Sequence, residues 1–120
     1  MTTSEIATVL AWHDALNAAD LDTLVALSSE DIEVGDAHGA AQGHAALRRW
    51  ASSVSTTAEL GKMYLHDGVV VVELTMLSPD GATAAAAFRV VHDHVTSVFR
   101  HENLASALAA TDLTEADRAD

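Results

Sequence analysis

The chain predicts an α+β domain in which one curved antiparallel sheet closes over helices. Three observations carry this. Apolar residues recur at three- and four-residue steps through the first half. Alternating, valine-rich segments fill most of the second half, and short turn-forming groups separate them.

Taken in order, Ile6, Val9, Leu10, His13 and Leu16 draw one stripe along a first helix over 4–18, with Ser4 placed to cap it. Asp20 opens a short second helix carrying Leu21, Leu24, Val25 and Leu27, followed by a brief extended piece over 31–34 and a loop over 35–39. After Gly43, the residues Ala46, Leu47, Trp50 and Val54 share one face of a third helix. Strands are expected over 59–66, 69–77, 82–91 and 94–101, punctuated by Asp67-Gly68, Pro79-Asp80-Gly81 and His92-Asp93. A closing helical turn over 103–110 completes a single domain, 1–110. The polar, acidic tail 111–120 is expected to fray.

Composition narrows the function classes. At 120 residues the chain fits one core, burying about two-thirds of the surface its unfolded form exposes. A formal net charge of −12 repels a phosphate backbone and an anionic membrane, so neither nucleic acid nor a membrane is an expected partner. The absence of cysteine removes disulfides, thiolate catalysis and cysteine-ligated metals. The first residues lack the pattern of a secretory signal, and no apolar run is long enough to span a bilayer, which reads as a soluble, cytoplasmic protein.

The segment 81–91, GATAAAAFRVV, sets four successive alanines inside a strand, against their helical propensity. Tertiary context must therefore explain them. With tight turns, Lys62 pairs with Glu73, Tyr64 with Val71 and Val90 with Val95, which gathers Tyr64, Glu73, Ala84, Ala86, Phe88 and His101 on one face. The other face, with Met63, Leu65, Val70, Val72, Leu74 and Val98, is too apolar for open water. One face is expected against the helices and the other against a second subunit, as a homodimer. Periodicity alone does not say which is which.

The order of helix, short helix, acidic strand, helix and meander, with WHDALNAADLDTLVALSSEDIEVGD, QGHAALRRW and FRVVHDHVTSVFRHENL, resembles the nuclear transport factor 2-like superfamily of SnoaL-like polyketide cyclases and ketosteroid isomerase. The resemblance covers most of the chain. It implies a cystatin-like α+β cone: three N-terminal helices packed in the curved sheet, around a largely apolar pocket walled by the face bearing Glu73, Ala86 and Phe88. The homodimer then forms through the outer face. In ketosteroid isomerase a carboxylate placed like Asp36 moves a proton next to a ketone. The positions matching that enzyme's oxyanion-holding tyrosine and aspartate are Trp12 and Ala86, and neither does that job.

The residues themselves have bland and functional readings. Asp36 is either a general base at a pocket mouth or a turn residue bonding its own backbone. Glu73 is either paired with Lys62 or an acid/base group, and His101, about 10 Å from it across two strand spacings, is either a proton donor or a hydrogen-bonded core residue. Trp12 or His13 faces the cavity, while Trp50, Tyr64 and Phe88 line its wall. Ala84 and Ala86 either leave room for a ligand or let a helix cross close to the sheet. His92-Asp93-His94 straddles a turn without a third fixed ligand, so no metal is expected. The expected function is cofactor-free proton transfer (isomerisation, cyclisation, dehydration or epoxide opening) on a small apolar ring-bearing molecule, with Asp36, His101 and Glu73 catalytic. The alternative is a non-catalytic ligand-binding or dimeric association module of the same fold.

Overall fold

The computed structural model describes residues 2–36, 39–53, 58–76 and 83–118. Helix α1 (Thr2–Asn17) starts two residues before Ser4, and the chain reverses at Ala19, whose φ is 57°. Helix α2 (Leu21–Ala26) follows, with the Asp20 carboxylate accepting from the Thr23 amide at 3.3 Å as an N-cap. Strands β1 (Ser28–Asp36) and β2 (Gly39–Gln42) then form a hairpin, and helix α3 (His44–Ser53) starts directly after Gly43. The meander is β3 (Ala58–His66), β4 (Val69–Met76), β5 (Thr83–Val91) and β6 (His94–His101). Helix α4 (Leu104–Thr111) and a 3-10 turn (Glu115–Asp117) close the chain. Among the described residues no helix is long and apolar enough to cross a membrane.

The α+β expectation holds, with differences in detail. The six strands form one sheet in the order β2-β1-β6-β5-β4-β3, and the β1/β6 pair is parallel where an antiparallel sheet was expected. The stretch read as a brief extended piece and a loop is a nine-residue strand with a second strand returning beside it. Gly35 makes that return possible: a methyl group there would come within 2.8 Å of both the Gly39 carbonyl oxygen and Phe99 Cε1. The Pro79-Asp80-Gly81 turn, Val54 and the last two residues of the tail lie outside the described residues.

Apolar groups cover both faces of the sheet. On the concave side, Val9, Trp12 and Leu16 of α1, Leu24 of α2 and Leu47 of α3 pack with Met63, Val70, Val72, Leu74, Ala86, Phe88 and Val98. On the other side, Ala107 of α4 and Leu113 pack with Tyr64, Val71, Ala85 and Ala87. The residues assigned from sequence to a partner subunit therefore meet the chain's own helices. The tail expected to fray is instead docked through residue 118. Leu113 is buried, Tyr64 Oη donates to Glu115 Oε2 at 2.6 Å, and Arg118 bridges to the Tyr64 backbone.

The expected grouping of side chains is corrected by register. Thr75 pairs with Thr83 and Val72 with Ala86, one residue off the pairing that tight turns predict, and a one-residue slip exchanges the two faces of a strand. A bulge between Arg89 and Val90 keeps Val90 opposite Val95 but sets Ala85, not Ala84, opposite His101. Tyr64 does pair with Val71, as expected, yet a second bulge follows between Leu60 and Met63. As a result Ala86 and Phe88 face the helices, whereas Tyr64, Glu73 and His101 share the opposite face.

Candidate functional site

The concave side gathers three aromatic rings. Trp12, fully buried on α1, meets Phe88 of β5 edge-on at 5.3 Å between centroids and Trp50 of α3 at 6.1 Å. The edge-to-face contact adds about 0.5–1.5 kcal/mol to what burial alone contributes. Trp12 Nε1–H donates to Ser28 Oγ at 2.9 Å, and that hydroxyl donates to the Leu24 carbonyl at 2.7 Å. Both polar atoms are thereby satisfied within the fold, and the Trp12 indole has no donor left for a ligand.

His13, the next residue, is also buried, at 3% exposure, so the choice between these two neighbours dissolves: both face inward. The Asn17 amide lies 3.3 Å from His13 Nδ1. With Asn17 as donor, the proton of the neutral ring sits on Nε2, which is buried and, among the described residues, has no hydrogen-bond partner. Burial first, and the positive charge of Arg100 second, push the imidazole down to about 4, against a smaller opposing pull from Asp14. At neutral pH the ring is an uncharged donor. Leaving such a group unsatisfied costs about 1–3 kcal/mol, a cost that calls for an explanation.

Arg100 supplies the charge. It pairs across the sheet with Ala86 on the concave side, and its guanidinium lies 5.6 Å from the centroid of the Trp50 ring, where the ring's negative face attracts it. Half-buried Trp50 also borders a recess of about 420 Å³ between α3 and the β1–β2 hairpin, lined by Val34, Gly35, Ala40, Ala41, Ala46 and Arg49. Asp36 ends β1 opposite Gly39, next to Gly35 at the edge of this recess. Its side chain lies outside what the structure describes.

The predicted residues thus divide. Trp12, His13, Trp50 and Phe88 are brought together on the concave side, with the Asp36 backbone at its rim. Tyr64, Glu73 and His101 lie across the sheet: Tyr64 is tied to Glu115, and His101 borders a different cleft beneath α4. Glu73 of β4 sits opposite the bulge of β3, where a methyl on Gly61 would lie 2.9 Å from its Oε1, and among the described residues it has no ion pair with Lys62. Arg100 was missed by sequence reasoning. The signal available was its place in the strand two residues from Val98, but the expected register turned both toward a partner subunit.

The helix side of the sheet thus holds a packed aromatic interior, a buried neutral imidazole and a guanidinium over Trp50, with a recess beside α3. The chain belongs to the SnoaL-like domain family, whose model matches residues 9–105. Solved structures of similar fold include a proposed polyketide cyclase from Sinorhizobium meliloti, at 21% identity over 78% of this chain and 93% of that one with a TM-score of 0.72. Another, from Xanthomonas campestris, is 22% identical over 90% and 96% with a TM-score of 0.69. A proposed ketosteroid isomerase from Kribbella flavida is 18% identical over 82% and 77%, with a TM-score of 0.68. No curated protein matches the sequence.

Proposed function

We propose that the chain binds a small ring-bearing organic molecule in the recess beside Trp50 and moves a proton on it without a cofactor. The family and fold suggest small-molecule binding or cyclase- and isomerase-type chemistry. The ligand ring lies against Trp50, among the methyl-sized side chains of Ala40, Ala41 and Ala46. Its volume is within the ordinary range of small-molecule pockets. Asp36, at the rim, removes a proton from the carbon next to a carbonyl and returns it to that carbon or, where a C=C bond extends the enolate, to the carbon two atoms further along, as the electron pair flows back from the oxygen. The electron pair released by the C–H bond meanwhile rests on the carbonyl oxygen as an enolate.

The observation that carries this reading is that the charge of Arg100, held over Trp50, acts on a buried, neutral His13 whose Nε2 has no hydrogen-bond partner among the described residues. Trp12 and Ala86 cannot hold an oxyanion, and Arg100 stands directly across from Ala86. A fixed cation and a free N–H in a buried setting are groups that stabilise negative charge as it develops. His101 and Glu73 leave the scheme because they face the other way.

The test is deuterium uptake by 2-tetralone in D₂O, followed by mass spectrometry. Wild type should accelerate exchange at the carbons beside the carbonyl. Asp36→Asn should lose at least a hundredfold of that acceleration while still binding, and Arg100→Met should lose a comparable amount. Binding with no exchange in wild type would favour the ligand-holding module, and the closed aromatic packing of Trp12 and Phe88 is the feature that suits such a role.

A further inference from the structure

We infer a second ligand site on the opposite side of the sheet, taking a flat aromatic carboxylate. It is independent of the recess beside Trp50. Between the sheet and α4 lies a cleft of about 690 Å³, larger than that recess. The pairing across β4, β5 and β6 sets this face of the sheet in rows, Val69, Arg89 and Ser97 in one, then Val71, Ala87 and Phe99, then Glu73, Ala85 and His101, and of these Val69, Arg89, Ser97, Ala87, Phe99 and His101 line the cleft. Ala87 gives the cleft a low centre, Ala85 is buried against α4, and Ser106 of α4 stands on the cleft.

Charge and polar groups select the occupant. This chain has only six basic residues against 18 acidic ones, yet exposed Arg89 stands at this cleft. Among the described residues Arg89 has no ion pair, and the side chains of His101, Ser97 and Ser106 have no hydrogen bond. Successive rows on one face are about 7 Å apart. A two-ring arene lying over Ala87 beside Phe99 therefore brings a carboxylate to the Arg89 and Ser97 row, where a guanidinium matches it in shape and charge. Glu102, at the cleft's other end beside His101, disfavours a second acidic group there.

The experiment is a titration of the full chain with 2-naphthoate, read by calorimetry and by backbone and indole N–H chemical shifts. Shifts are expected at Ala87, Phe99, His101 and Ser106, with the Trp12 and Trp50 indoles unmoved. Arg89→Met should weaken binding at least tenfold and Arg89→Lys should restore most of it, while the uncharged 2-naphthalenemethanol should bind at least tenfold more weakly than the acid. Three results would each overturn the proposal: no saturable binding, equal binding by Arg89→Met, or shifts confined to the indoles. So would shifts in the cleft that follow protein concentration without naphthoate, which would assign the face to a second copy. Since the tetralone assay reads the concave side, either site can fail alone.

Discussion

At the scale of single residues, the concave site rests on how three neighbouring groups are satisfied. Trp12 has its N–H bonded to Ser28, Arg100 has the face of Trp50, and His13 is left with a buried Nε2. The imidazole carries a consequence for stability. Its pKa is lowered in the folded chain, from 6.5 to about 4, so between those values the unfolded chain binds the proton and the folded chain does not. The stability it contributes is complete above about pH 6.5 and lost as pH falls toward 4, a difference on the order of 3 kcal/mol. Urea unfolding at pH 7.5 and 4.5 should show that loss, and His13→Leu should remove most of this part of the slope. An unchanged slope in His13→Leu would place the proton uptake elsewhere.

At the scale of elements, the turns and the alanine run decide what each strand presents. His92 and Asp93 both adopt positive φ, 50° and 63°, in a two-residue hairpin loop that glycine and asparagine adopt with least strain. Replacing the pair by Asn-Gly should stabilise the protein by about 1 kcal/mol, a rise of about 4 °C in Tm by calorimetry. The alanines answer to packing on both faces: Ala86 lies on the concave side, within the cluster containing Trp12 and Phe88, and Ala85 and Ala87 lie against α4. Ala85→Leu should push α4 off the sheet and cost about 1–3 kcal/mol, seen as a lower urea midpoint and faster amide exchange in α4.

The same elements show what was legible beforehand. Helices α1 to α3 and four strands of the meander follow from periodicity and turn residues, because those signals are local. The side chains facing each way do not, because a face depends on pairing. One residue's difference in the β4/β5 register and one bulge at Arg89 moved Tyr64, Glu73 and His101 across the sheet. Of the wall residues expected from sequence, Trp12 or His13 with Trp50, Tyr64 and Phe88, all but Tyr64 lie on the concave side. Three of them sit on helices whose faces are set by sequence spacing alone, and Phe88 keeps their company through the register. Strand β2 was invisible since Gly39 to Gln42 is short, exposed along its length and low in strand-forming residues.

At the scale of the whole molecule, one sheet divides the chain into two environments. The concave side holds the aromatic trio, the imidazole and the guanidinium, opening beside Trp50. The convex side holds α4, the docked tail and the larger cleft. Burial of Met63, Val70, Val72 and Leu74 within the chain removes the reason for covering them with a second subunit. The most direct test of a ligand site on the concave side is a titration with 2-tetralone that reads the indole N–H signals of Trp12 and Trp50. The account predicts a saturable shift of Trp50, abolished in Ala46→Phe, which fills the recess without touching the convex cleft. A Trp50 signal that stays still while residues beneath α4 respond would contradict it.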